Sequence, residues 1–302
     1  MRKLLLCSVA AAAVGAARPA AGMDDIFKVA RDCNYTALER MIKRARSLAT
    51  VKDNYGATPL HHVARSGKKT KQRDVMQALS CVKLLLMAGC PVDVRDKYRK
   101  TPLHFAAESN SGFVAKFLME NGADPKAHDQ YGSTPLHSAA RGSIDVMKLL
   151  IAKKVDVNRR NESGETPLHR ARGAEAVKLL VKHGADVNAK SNFGSVPLHN
   201  VYKGETAEAL LDAKADPDIR NEMGDAPIHK AARYRHTGVL EILLRKKADA
   251  NATDRSGRTP IALAQAEKER VALNQNYSPN MKARMTEEFD RIIEILKNYG
   301  AK

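Results

Sequence analysis

The 302-residue chain is long enough to bury a sizeable core, and its 43% apolar, 28% charged composition is that of a folded protein. With six Phe, eight Tyr and no Trp it is only 5% aromatic, which argues against an enzyme whose pocket is walled by aromatic rings. The formal net charge of +17 is patchy: ten basic against three acidic side chains over residues 57–100, eight against three over 226–258, and three against seven over 196–225. That distribution disfavours a continuous nucleic-acid stripe and suits a surface for acidic partners, screened beyond ~8 Å at physiological salt.

The chain opens MRKLLLCSVAAAAVGAARPAAG. Arg2 and Lys3 precede an apolar or small-residue run from Leu4 to Ala17, and Ala20-Ala21-Gly22 stands before the acidic pair Asp24-Asp25. This is the layout of a secretory signal peptide cleaved after Gly22. It assigns residues 1–22 to a leader and predicts export to a periplasmic or extracellular space. A translation start at Met23, an organellar transit peptide and a cytoplasmic chain are the alternatives. The run is short for a membrane span, and no later stretch approaches the ~20 apolar residues that a span needs.

From residue 58 onward one phrase recurs. It reads TPLHHVARSG from Thr58, TPLHFAAESNSG from Thr101, TPLHSAARGS from Thr134 and TPLHRARGAEAVKLLV from Thr166. Looser copies are VPLHNVYKG from Val196, APIHKAARYR from Ala226 and TPIALAQ from Thr259. Successive intervals are 43, 33, 32, 30, 30 and 33 residues. Each phrase leads to an apolar pair such as Phe117-Leu118 or Leu149-Leu150, then to a turn such as NGADPKAHDQYG. Self-similarity near 33 residues is the mark of a solenoid, and over nearly all of residues 24–302 the chain resembles the ankyrin repeat family.

The residue types fit that architecture mechanically. Thr caps a first helix and Pro occupies its first turn, where a missing N–H costs nothing. Glycines such as Gly89, Gly122 and Gly184 end the second helix. Asp-x-x-Gly at Asp53–Gly56, Asp129–Gly132 and Asp254–Gly257 predicts the tip of a hairpin. The expectation is an all-α solenoid of about eight helix-turn-helix units with β-hairpin loops, at residues 24–56, 57–99, 100–132, 133–164, 165–194, 195–224, 225–257 and 258–302. The first unit lacks the phrase and serves as a cap. About ten residues are inserted in the second unit around GKKTKQRDVM, and about twenty in the eighth around AEKERVALNQNYSPNMKARM.

The fifth unit is short. Its apolar pair stands 13 and 14 residues after Thr166, against 16 and 17 after Thr101. The deficit is close to one helical turn. Arg172 and Tyr202 occupy places where Ala is usual, so the fifth and sixth units are expected to have shortened helices and to alter the local curvature.

Six histidines recur at the fourth place of the phrase: His61, His104, His137, His169, His199 and His229. Stacked helices lie ~8–10 Å apart, too far for neighbouring rings to share one metal ion with ligands at ~2.1 Å. A ring bonding to the backbone of the adjacent turn is the expectation, with no metal and no cofactor. Four cysteines at 7, 33, 81 and 90 show neither CxxC nor zinc spacing. Cys81 and Cys90, taken as the two ends of one helix, would be about 13 Å apart and unable to pair. No phosphate loop, zinc-protease helix or nucleophile elbow occurs, and no carboxylate pair is marked out for acid–base work. The chain reads as a non-enzyme with no small-molecule substrate.

In proteins of the family it resembles, hairpin tips and the exposed ends of the first helices grip the partner. Before the tip glycine stand Tyr55, Tyr98, Tyr131, Ser163, Phe193, Met223 and Ser256, of which Tyr55, Tyr98, Tyr131, Phe193 and Met223 are large. Tyr offers contact area at little entropic cost. At position 99 the tip glycine is replaced by Arg99, which predicts an altered hairpin. First-helix ends contribute Arg65, Glu108, Arg141 and Arg233, with Lys203 less securely aligned. Lys68, Lys69, Lys71 and Arg73 in the first insertion read as a solvated basic loop. The function these residues imply is an exported module binding another protein, one with an acidic surface, through its tips and concave helix face. The alternatives are a cytoplasmic or host-delivered adaptor and a basic binder of nucleic acid or anionic surfaces.

Overall fold

The computed structural model describes residues 23–67 and 71–301. The expected leader at 1–22, and Lys68 and Lys69 of the insertion, lie outside the described residues. Helices come in pairs along the chain: α1 (Met23–Arg31) with α2 (Tyr35–Arg44), α3 (Pro59–Ala64) with α4 (Gln72–Met87), α5 (Pro102–Glu108) with α6 (Gly112–Glu120), and α7 (Pro135–Ala139) with α8 (Ile144–Ala152). Next, the 3-10 turn Pro167–Arg170 pairs with α9 (Ala174–Lys182) and the 3-10 turn Pro197–Asn200 with α10 (Gly204–Asp212). The last pairs are α11 (Pro227–Arg233) with α12 (Thr237–Arg245), and α13 (Pro260–Leu273) with α14 (Pro279–Asn298). Each first helix packs on the next first helix, and each second helix on the next second helix, so two parallel rows enclose one continuous core.

The repeated phrase explains the first row. Pro begins every first helix from α3 to α13, and the phrase Leu or Ile that follows it is nearly or fully buried at Leu60, Leu103, Leu136, Leu168, Leu198 and Ile228. Alanines at 64, 106, 107, 139 and 140 are fully buried, and their small side chains let neighbouring helices approach closely. Leu85, Leu118, Leu150, Leu180 and Leu243 close the core from the second row. Truncating one such leucine to Ala costs about 2–5 kcal/mol.

The β-hairpin loops expected from the sequence do not form: among the described residues there is no β-strand. The cause is competition for amide hydrogens. Asp53 Oδ1 accepts from the N–H groups of Tyr55 and Ala57 at 2.8 and 2.9 Å. A hairpin would need the Ala57 N–H to donate to the Asp53 carbonyl, so the carboxylate removes one half of the closing pair. The Asp53 N–H still donates to Ala57 O at 2.9 Å, and the loop is a side-chain-closed turn. Asp96, Asp129, Asn161, Asn221 and Asp254 close theirs in the same way.

The turn at Arg99 keeps this form. Arg99 N–H donates to Asp96 O at 3.0 Å, as Gly56 N–H donates to Asp53 O at 2.9 Å. Arg99 adopts a φ of 60° to do so, a left-handed conformation that costs an L residue ~1–2 kcal/mol. The expected glycine stops are present at Gly89, Gly122 and Gly184, all at positive φ, while Lys154, Lys214 and Lys247 take up the same left-handed conformation after α8, α10 and α12.

The second insertion is largely helical, and the first runs into α4 from Gln72 onward. The first lengthens α4 to 16 residues, against 9 in α6 and α8, with Lys71 and Arg73 exposed at its start. Cys81 therefore lies inside α4 and Cys90 three residues beyond its end, where helix ends had been expected. Cys33, Cys81 and Cys90 are buried, and burial pushes the Cys81 thiol up to about 12. The second insertion builds the long pair α13 and α14, which packs against α11 and α12.

Candidate functional site

The phrase histidines are internal fasteners. In each, Nδ1 accepts the backbone N–H three residues earlier (Thr58, Thr101, Thr134, Thr166, Val196 or Ala226) at 3.0–3.2 Å. An Nδ1 that accepts leaves the proton on Nε2, which donates at 2.8–3.1 Å to a carbonyl of the following unit at Lys100, Ser133, Glu165, Ser195 or Asp225, and for His229 to Ala252 O within the seventh unit. Burial holds these rings neutral, with the pKa of His61, His104, His137 and His199 lowered from 6.5 to about 4. The rings therefore stitch units together and are not available to a ligand. Among the described residues no group of three or more His, Cys, Asp or Glu is placed to hold a metal ion, and no helix is long and apolar enough to cross a membrane.

The turn tips form a second connection. Lys97 N–H donates to Tyr55 O, Gln130 N–H to Tyr98 O and Glu162 N–H to Tyr131 O, each at 2.9 Å. Asn192 continues to Ser163 O and Glu222 to Phe193 O at 3.0 Å, and Arg255 to Met223 O at 3.3 Å. With the backbone of each tip fastened to the next loop, the side chains project. Tyr55, Tyr98, Tyr131, Phe193 and Met223 are all exposed, from 42% at Tyr98 to 71% at Met223. The structure thus brings the five large tip residues into one row of neighbouring loops.

The first-helix ends are less uniform. Arg65 is exposed and lies over the Phe105 ring, 4.5 Å from its centroid. Glu108 is tied to Lys100. Arg233 pairs at 2.9 Å with Asp225, a carboxylate only 1% exposed, so it neutralises a buried acid of its own chain. Arg141 is exposed and lines a cavity of about 460 Å³ together with Glu165, Arg170, Arg172, Asn200 and Tyr202. That cavity lies between Arg141 of the fourth unit and the fifth and sixth units, whose first helices are four-residue 3-10 turns, as the missing helical turn predicted. Sequence reasoning singled out Arg172 and Tyr202 as misfits for packing without seeing that they stack on each other, 5.7 Å apart.

The family model for ankyrin repeats (three copies) matches residues 22–129, 70–161, 113–191 and 194–280, and the chain belongs to the ankyrin repeat family. Among solved structures it is similar to the ankyrin repeat domain of Bcl-3, described as a unique member of the IkappaB protein family. The two share 25% identity at a TM-score of 0.52, over 80% of this chain and 99% of that one. Comparison with curated proteins finds no match. An all-helical repeat fold of this kind argues against enzymatic activity, and the protein is a non-enzymatic ankyrin-repeat protein of the protein-binding, scaffold type.

Proposed function

We propose that this protein is an exported recognition module that grips a partner protein along the row of turn tips and across the concave side carrying the first-helix ends. The observation that carries the reading is the tip row itself. Five large side chains are held exposed on loops whose backbones are fastened loop to loop, so the surface is shaped before the partner arrives and little ordering cost remains. Tyr in such positions supplies contact area with few rotors to freeze. Support for export comes from the leader-like layout of residues 1–22.

Capture of partners by the full chain, beside a Tyr55→Ala, Tyr98→Ala, Tyr131→Ala triple variant, tests the surface. Loss of a specific partner from the variant is expected, and unchanged capture would remove the tips from the site. The intact mass of the protein from its own cells tests export. A chain beginning at Met23 in the exported fraction is expected; one retaining Met1 or Arg2 in the cytosol would sink it.

A further inference from the structure

The shortened fifth and sixth units leave a notch in the row of first helices, and its lining is chemically selective. Where α5 and α11 run seven residues, the turns Pro167–Arg170 and Pro197–Asn200 stop after four. The chain that would have extended the first of them folds back, with Arg172 N–H donating to Ala140 O at 3.0 Å and Gly173 N–H to Thr206 Oγ1 at 3.0 Å. The missing helical ends open the 460 Å³ cavity.

Its charges do not cancel. Glu165, the one acid in the lining, is already satisfied: Arg170 Nε donates to Oε2 at 2.7 Å and Asn200 Nδ2 to Oε1 at 3.4 Å. Arg141 and Arg172 remain, both exposed, and neither forms an ion pair with a carboxylate among the described residues. His169, also in the lining, has its ring pKa pushed down by burial and adds no positive charge. Arg172 is held against the Tyr202 ring, so its guanidinium is oriented before a ligand binds.

We infer that this notch is a pocket for an acidic side chain of a partner polypeptide, its carboxylate taken between Arg141 and Arg172 and its stem laid against Tyr202. Paired guanidiniums match a planar carboxylate with charge-assisted, directional hydrogen bonds. With Glu165 engaged by Arg170, these two guanidiniums set the recognition, and a side-chain carboxylate is the anion that a partner polypeptide carries without modification. The inference rests on the protein-binding reading above and deepens it by naming what one part of the surface recognises.

A fluorescein-labelled hexaglutamate peptide titrated into the full chain at low salt, read by anisotropy, is the test. The Arg141→Gln, Arg172→Gln variant is expected to bind at least about tenfold more weakly. The Lys126→Gln, Arg159→Gln variant removes the same charge from exposed positions outside the notch and is expected to stay within about twofold. Both pairs are exposed, and unchanged thermal melts verify folding. Equal losses in the two variants, or no binding by the unaltered chain, would overturn the pocket. A phosphoserine peptide or an oligonucleotide binding about tenfold more tightly than hexaglutamate, with that gain lost in the Arg141, Arg172 variant, would overturn the choice of carboxylate. Partner capture separates the two readings. Capture that survives the arginine changes but not the tyrosine changes sinks the pocket alone, whereas capture that survives both sinks the binding surface as a whole.

Discussion

The second to fourth units and the fifth and sixth are two treatments of one phrase. In both regions the Pro, the buried Leu and the bridging His are kept, and the Nε2–H to carbonyl bond spans 2.9–3.1 Å at His61, His104, His137 and His169 and 2.8 Å at His199. What differs is everything after the His. The first helices α3, α5 and α7 are α-helical and five to seven residues long; those of the fifth and sixth units are 3-10 turns of four. The second-to-fourth region carries Tyr98, Tyr131 and Ser163 at its tips and a basic surplus, whereas the other has Phe193 and Met223 at its tips and is acidic over residues 196–225. Stacking and surface are thus encoded separately: the start of the phrase joins units, and its tail can shrink to reshape the binding face without loosening the stack.

The strongest way to break that common stack is acid. His61, His104, His137 and His199 titrate at about 4 in the fold against 6.5 ordinarily, and burial lowers His169 and His229 in the same direction. A ring whose pKa is depressed by folding contributes its full stability above the unfolded value and loses it as pH falls toward the folded one. Each such ring therefore costs about 1.4 kcal/mol per pH unit below roughly 6.5. Urea melts should be flat from pH 8 to 7 and lose several kcal/mol between pH 6.5 and 5. A flat profile through pH 5 would mean the rings are not neutral fasteners.

Single substitutions come next. His104→Ala leaves the Thr101 N–H without an acceptor and the Ser133 carbonyl without its donor, and should cost about 2–4 kcal/mol. His169→Ala removes the same pair of bonds at Thr166 and Ser195 and should cost a similar amount, despite its shorter helix. A much smaller loss at His169 would show that the shortened units stack by other means. Arg99→Gly relieves a left-handed residue and should stabilise by about 1 kcal/mol in the same melts. The smallest effect belongs to the tyrosine tips. Changing all three to Ala should move stability by only about 1 kcal/mol in total, since the rings are exposed.

Much of this was legible in the chain. The phrase and its period specify the paired helices, the missing turn announces the short 3-10 segments, and the recurring histidines point to the backbone of the adjacent turn as their partner. The tip residues are where the Asp-x-x-Gly pattern places them. The hairpins were misjudged because a pattern of turn residues does not reveal whether an aspartate carboxylate or a backbone carbonyl takes the amide at Ala57. Arg233 and Glu108 read as free groups because their partners, Asp225 and Lys100, stand eight residues away and meet them only after folding. The notch is a product of three units and needs Arg141, Arg172 and Tyr202 to converge across some sixty residues of chain.

From the second unit to the seventh the fasteners run in series, one histidine bridge and one tip bond across each junction, and this governs how the molecule would yield to tension. Pulled from its ends, such an array releases its length in instalments rather than all at once. A 33-residue unit frees about 110 Å of extended chain and a 30-residue unit about 100 Å. The two abbreviated units would be shorter links in that sequence of steps, so the irregularity that shapes the binding face also marks a place along the protein's extension under load.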